Sequence, residues 1–229
     1  MPVRFRHNIF VYPILITVLT ILAYSNTVQA PFIFDDTINI VENASLFNRS
    51  SFWGILTPSK GTGVAGRPFV NLSLALNYAI SAENTWSYHI FNLIVHILAA
   101  LSLFGVIRRS LLSDRLNEDY GRTSTHFAFA CTLLWVLHPL QTESVTYIIQ
   151  RCESLMGLFF LLTFYCSIRG WQSDSPKNWH LAAILSFLMG VGSKEVIFSC
   201  FFTTSYFFTK TRKRFFAIPL SSIQVCFWV

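Results

Sequence analysis

The fold class this sequence predicts is an all-α, polytopic membrane protein with about six to seven transmembrane helices and one interfacial helix. Three observations predict it. More than half of the 229 residues are hydrophobic, only 12% are charged, and 23 are Phe; a soluble domain of this size does not need so much apolar surface, whereas several bilayer spans do. The apolar residues fall in runs parted by short polar gaps. With the N-terminus placed inside, twelve of the seventeen basic residues but only four of the eleven acids lie on the inner side, as the positive-inside rule requires. The net charge of +6 does not signal nucleic acid, because no basic stretch is interleaved with aromatics. Cys131, Cys152, Cys166, Cys200 and Cys226 are scattered without paired spacing, so they set neither a disulfide framework nor a zinc site.

The first run, Asn8 to about Ala23, follows Arg4 and Arg6 and is read as a first transmembrane helix. Val28-Gln29-Ala30 has the small-x-small pattern of a signal-peptide cut, but Pro31 directly after it makes a poor cleavage site. A polar loop reaches Arg67. Its Lys60-Gly61-Thr62-Gly63 lacks the order of a phosphate loop and is read as a flexible turn. Asn43-Ala44-Ser45 and Asn48-Arg49-Ser50 are glycosylation sequons. Pro68 suits the first position of a helix, and Phe69, Leu72, Leu76 and Ile80 then share one face, with Asn71 and Tyr78 opposite. That segment is the interfacial helix.

Tyr88 to Ile107 is a span. His89, Asn92 and His96 form a stripe on it; His89 and His96 are roughly 10 Å apart along the axis, so interhelical hydrogen bonding suits them better than one metal ion. Further apolar runs are Phe127–Leu137, Leu155–Ile168, Trp179–Val191, Val196–Thr209 and a last one reaching Val229. Two connections between short runs, 137–153 and 192–195, are charged and must partly dip below the membrane surface, which is tolerated where a protein or water cavity is lined.

On this topology the candidate chemical residues share the outer side. Asp35 and Asp36 follow Phe34 just beyond the first helix; the alternative for this pair is a helix N-cap. Arg67 opens the interfacial helix. His138, Glu143, Arg151 and Glu153 lie on one connection, and Lys194 and Glu195 on the other. Lys194 and Glu195 could simply neutralise one another, and His138-Pro139 could be an ordinary helix terminus.

Gly66-Arg67-Pro68-Phe69-Val70-Asn71-Leu72-Ser73, Tyr88-His89-Ile90-Phe91-Asn92, Leu137-His138-Pro139 with Glu143-Ser144-Val145, Arg151-Cys152-Glu153 and Ser193-Lys194-Glu195 together carry a resemblance. In this order they resemble the N-terminal membrane part of the tetratricopeptide-containing C-type (GT-C) glycosyltransferases, which include transmembrane O-mannosyltransferases. The resemblance implies one GT-C-like transmembrane domain over 1–229. It implies transfer of a sugar from a polyprenyl-phosphate donor to an acceptor hydroxyl, on a protein or glycan, at the outer or luminal face. It makes Asp35 or Asp36 the catalytic acid. Arg67, Arg151 or Lys194 would stabilise the lipid-phosphate leaving group, and His138, Glu143, Glu153 and Glu195 would serve substrate binding. No metal ligand set is assigned, and a divalent cation is left open as cofactor. A multi-pass place in a bacterial inner membrane is expected, or the endoplasmic reticulum membrane in a eukaryote. No tetratricopeptide repeats follow before Val229, so a fragment of a longer protein is expected. The rival readings are an inactive fragment or membrane scaffold and, behind it, a transporter.

Overall fold

The apolar runs form helices whose hydroxyl groups find partners within the helix itself. Thr17 and Thr20 donate to the carbonyls of Pro13 and Ile16, and Thr163 and Ser167 to those of Phe159 and Thr163, at 2.7–2.9 Å. A hydroxyl bonded four residues back can be buried in apolar surroundings at little cost. The computed structural model describes residues 10–47, 52–58, 61–113 and 116–198. Its main elements are α1 (Val11–Tyr24), α2 (Pro68–Ser81), α3 (Trp86–Leu111), α4 (Ser124–Val136), α5 (Arg151–Trp171) and α6 (Pro176–Val191). Pro68 and Pro176 occupy the first turn of α2 and α6, where a missing N–H costs nothing.

The chain is an all-helical membrane protein as far as it is described. Among the described residues three segments are long and apolar enough to cross a membrane, namely Val11–Gln29, Trp86–Leu111 and Ile148–Trp171. That is fewer than the six to seven expected. α4 with 13 residues and α6 with 16 fall short of the roughly 20 that a span needs. The expected run from Val196 lies mostly, and the last run wholly, outside the described residues.

Neighbouring contacts fix the directions. Tyr12 at the start of α1 packs its ring on His126 and Phe129 at the start of α4, and Tyr24 at the end of α1 donates to the carbonyl of Val136 at 3.0 Å, so α1 and α4 run together. α3 and α5 run the other way, with Gln172 bonded to Arg109 where both finish. α6 returns, and its far end meets the start of α2, where Phe69 N–H donates to the Gly192 carbonyl at 3.3 Å. The bundle therefore has a basic end, with Arg108, Arg109, Arg169 and Lys177, and an acidic end that holds Asp35 and Asp36. α3 and α5 approach closely at Gly105, where a Cβ would come within 2.6 Å of the Tyr165 ring. The main core between these helices includes Val95, Ala99, Leu103, Leu155, Met156 and Phe159.

Two local features differ from a plain bundle. α4 stops level with His96, whose Nε2 donates to the Val136 carbonyl at 3.2 Å, ten residues inside α3 and so roughly 15 Å along its axis. The connection after α4 therefore climbs inside the bundle, as the short flanking runs require. α2 packs by its polar face: Asn71, Ser73, Asn77 and Ser81 are buried with Val70 and Leu74, while Leu76 and Ile80 of the apolar stripe point outward. An outward apolar stripe over an inward polar one suits a helix whose outer neighbour is lipid.

Candidate functional site

The acidic end is built from the turn at 33–36 and the start of α5. Phe34 has φ +45°, a left-handed backbone that costs a non-glycine residue roughly 1–2 kcal/mol. The turn is closed by Asp36 N–H donating to the Ile33 carbonyl and Thr37 N–H to the Phe34 carbonyl. It sends the two adjacent carboxylates into different surroundings. Asp36 is fully buried, and its oxygens accept the N–H of Ile149 at 2.9 Å and of Ile33 at 3.3 Å. Burial raises its pKa above the ordinary carboxylate value, opposed by these amide donors and by the Arg151 charge. Asp35 is exposed. Its backbone N–H donates to the Tyr147 hydroxyl at 3.2 Å. Burial, with the charge of both aspartates, raises the Tyr147 pKa, while the Asp35 N–H lowers it.

Contacts to the first loop then advance along the chain into α5. Asn39 donates to the Asp35 carbonyl at 2.8 Å and accepts the Gly63 N–H, so the stretch read as a flexible turn is pinned at Gly63. Arg67 donates to the Gly63 carbonyl at 2.9 Å and to Cys152 Sγ at 3.4 Å. One residue on, Glu153 forms an ion pair with Lys194. Tyr147 with Asp35, Ile149 with Asp36, Cys152 with Arg67 and Glu153 with Lys194 thus follow one another around the N-terminus of α5. The positive end of that helix dipole faces the carboxylates.

Arg151 has a setting different from the clamp expected of it. It is fully buried, and its guanidinium donates to Asn92 Oδ1 (2.8 Å), Ser73 Oγ (3.2 Å), Asn77 Oδ1 (2.6 Å) and the Tyr88 carbonyl (3.0 Å), with the Phe91 ring 4.3 Å away. A guanidinium so enclosed joins α2, α3 and α5 rather than reaching toward a ligand, because four of its five N–H donors are taken. Lys194 pairs with Glu153 instead of its neighbour Glu195, which is exposed. His138 accepts the Leu140 N–H on Nδ1 at 3.2 Å and so caps the turn after α4, the helix-terminus role weighed for it. Glu143 accepts from Gln150 at 3.2 Å. Both are exposed, on the rim of the connection.

The histidine stripe bonds between elements, His89 to the Ala30 carbonyl at 3.0 Å and His96 to that of Val136. A carbonyl only accepts, so Nε2 carries the proton in both. Tyr147, Ser73 and Asn77 escaped the sequence reading. Ser73 and Asn77 stand four apart on the inner face of α2, and a buried basic partner was the missing half of that signal. Asn43 of the first sequon is buried, with its amide bonded to the Asn39 carbonyl and to Asn71 Oδ1, so the fold occupies the group that glycosylation would need. Asn48 of the second lies outside the described residues.

Known proteins are similar to part of this sequence. Protein O-mannosyl-transferase TMTC2 of Mus musculus is 33% identical over 174 residues, covering 70% of this chain and 19% of that protein. The chain is a relative of the protein O-mannosyltransferases. Protein O-mannosyl-transferase TMTC3 of Homo sapiens is 28% identical over 178 residues, 74% of this chain and 18% of that protein. Protein O-mannosyl-transferase F38B6.6 of Caenorhabditis elegans is 29% identical over 160 residues, 66% of this chain and 22% of that protein. The chain thus spans about a fifth of the length of these O-mannosyltransferases. No family model matches it, and no solved structure does. Among the described residues no three His, Cys, Asp or Glu side chains converge as a metal would need.

Proposed function

We propose that this chain forms the membrane-embedded catalytic part of a GT-C-like O-mannosyltransferase. It would move mannose from a polyprenyl-phosphate donor to a protein hydroxyl at the non-cytoplasmic face. The observation that carries the reading is the division of the acid pair. Asp36 ties the loop to the start of α5, and the exposed Asp35 is presented beside it with Tyr147 as its support. In the reaction Asp35 accepts the proton of the acceptor hydroxyl as its oxygen attacks the anomeric carbon. The bond from that carbon to the donor phosphate breaks, and the phosphate oxygen leaves with the electron pair. Arg67 and Lys194, around the same helix N-terminus, stabilise that charge, with Glu153 holding the ammonium in place until phosphate arrives. His138, Glu143 and Glu195 line the rim where sugar hydroxyls or the acceptor pass. Arg151 sets the frame on which these groups stand.

The same reading makes 1–229 one transmembrane domain, with the basic end of the bundle cytoplasmic and the acidic end luminal or extracellular. It places the protein in the endoplasmic reticulum membrane in a eukaryote, or in the inner membrane of a bacterium, as a multi-pass protein. The test is donor choice. Membranes holding the full-length protein are given radiolabelled mannose as the polyprenyl phosphate or as a nucleotide sugar, with endogenous lipid-sugar synthesis blocked. Label is expected in protein from the lipid donor only. Label taken directly from the nucleotide sugar contradicts the proposal.

A further inference from the structure

The turn that carries the acid pair combines a strained backbone with an exposed aromatic ring. Phe34 holds a left-handed backbone, φ +45°, where glycine or asparagine would sit without strain. Its side chain is also 84% exposed, the most exposed large hydrophobic among the described residues. Backbone strain clusters at functional sites and ligand clamps, and here the strained residue also presents an exposed aromatic ring. Both coincide at the residue before Asp35. The ring does not belong to the hydrocarbon of the bilayer, because burying it there would draw the adjacent exposed Asp35 carboxylate into lipid at great cost.

We propose that Phe34 is a specificity-determining residue whose ring receives an apolar side chain flanking the hydroxyl of the acceptor polypeptide. The inference rests on the transferase reading and adds to it the half-site for the acceptor. The left-handed turn fixes ring and carboxylate on one segment, so a hydroxyl in reach of Asp35 brings its neighbouring side chain onto Phe34. The acceptor class is then a serine or threonine next to a bulky apolar or aromatic residue, in an extended or loop segment.

The test uses the full-length protein in detergent with lipid-linked mannose and two synthetic peptides. One carries a threonine flanked by valine and phenylalanine, the other the same threonine flanked by glycine and serine. Phe34→Gly removes the ring and relieves the backbone, so its thermal stability is expected to equal or exceed wild type. Its KM for the apolar peptide is expected to rise roughly 3- to 10-fold, the size typical of an aromatic contact, with kcat and the donor KM unchanged. Phe34→Trp should restore the low KM, and the glycine–serine peptide should not distinguish the variants. An unchanged KM, or loss of stability in Phe34→Gly, overturns the proposal. Asp35→Asn separates the two levels: if it abolishes transfer while Phe34→Gly changes nothing, only the acceptor half-site falls, and if it transfers normally the transferase reading falls. A photoreactive benzoylphenylalanine at position 34 decides the matter independently of turnover. It should form an adduct with the apolar peptide that excess unlabelled peptide suppresses; adducts with lipid alone, or none, contradict the assignment.

Discussion

Two neighbouring aspartates with different surroundings should behave differently, and Asp36 is the one whose effect is on stability. Burial raises its folded pKa above the unfolded value, so the folded protein holds this proton more tightly than the unfolded chain. The sign follows: its contribution is fully present below the ordinary carboxylate pKa and is lost as pH rises through the raised one. Thermal unfolding in detergent across that window should show the decline, and Asp36→Asn should flatten it. Arg151 acts in the same frame. Arg151→Ala leaves the amide oxygens of Asn77 and Asn92 buried without their donor, at a cost of about 1–3 kcal/mol for each unsatisfied group. Arg151→Lys should recover little of it, since one ammonium cannot span α2 and α3 together; unfolding midpoints of the two variants check this. The chemistry-bearing types were legible in the sequence, but not their burial. Arg151 read as a phosphate clamp because a basic residue on an outer connection is ordinarily solvated. Only the inward Ser73, Asn77 and Asn92 show that it is enclosed.

Helices meet closely where glycine permits it, and α3 and α5 supply a contrasting pair of glycines. Gly105 in α3 faces the Tyr165 ring, so Gly105→Ala forces α3 and α5 apart or displaces that ring, at about 1–3 kcal/mol. Gly157 in α5 has open space around a built Cβ, and Gly157→Ala should be neutral or stabilising by up to about 1 kcal/mol. Opposite signs for these two substitutions, read as shifts in unfolding temperature, test the α3–α5 crossing. Apolar periodicity located α2 from Pro68 onward and, in an interfacial helix, set its apolar stripe toward lipid, but it did not show what the polar face packs against. In water the apolar stripe would turn in; here it turns out, because Arg151 gives the polar face a partner in the interior. The early end of α4 was legible from its length, and the climb of the following connection came from the same count.

At the scale of the molecule, charge separates the two ends. Arg108, Arg109, Arg169 and Lys177 gather where α3 and α5 finish, and Arg169 stacks on Trp179 at 4.4 Å. The acids, Tyr147 and the Lys194–Glu153 pair gather at the other end. The proposed orientation predicts that an impermeant maleimide applied from the non-cytoplasmic side labels Thr142→Cys and leaves Asn117→Cys unlabelled until the membrane is opened. Both positions are exposed, so the reverse pattern would invert the orientation. Alternating basic gaps made this polarity legible before any coordinates. The number of spans was less so, since a run of 13 or 16 apolar residues counts as a span on the page yet is too short for one when folded.

Transfer of mannose by Asp35→Asn, set beside Asp36→Asn at equal membrane insertion, tests the central claim most directly. Asn keeps the shape of the side chain and the Tyr147 contact to the backbone N–H, while removing the base. A fall of roughly 10²- to 10⁴-fold is expected for Asp35→Asn, at unchanged unfolding temperature. Normal transfer by Asp35→Asn would contradict it.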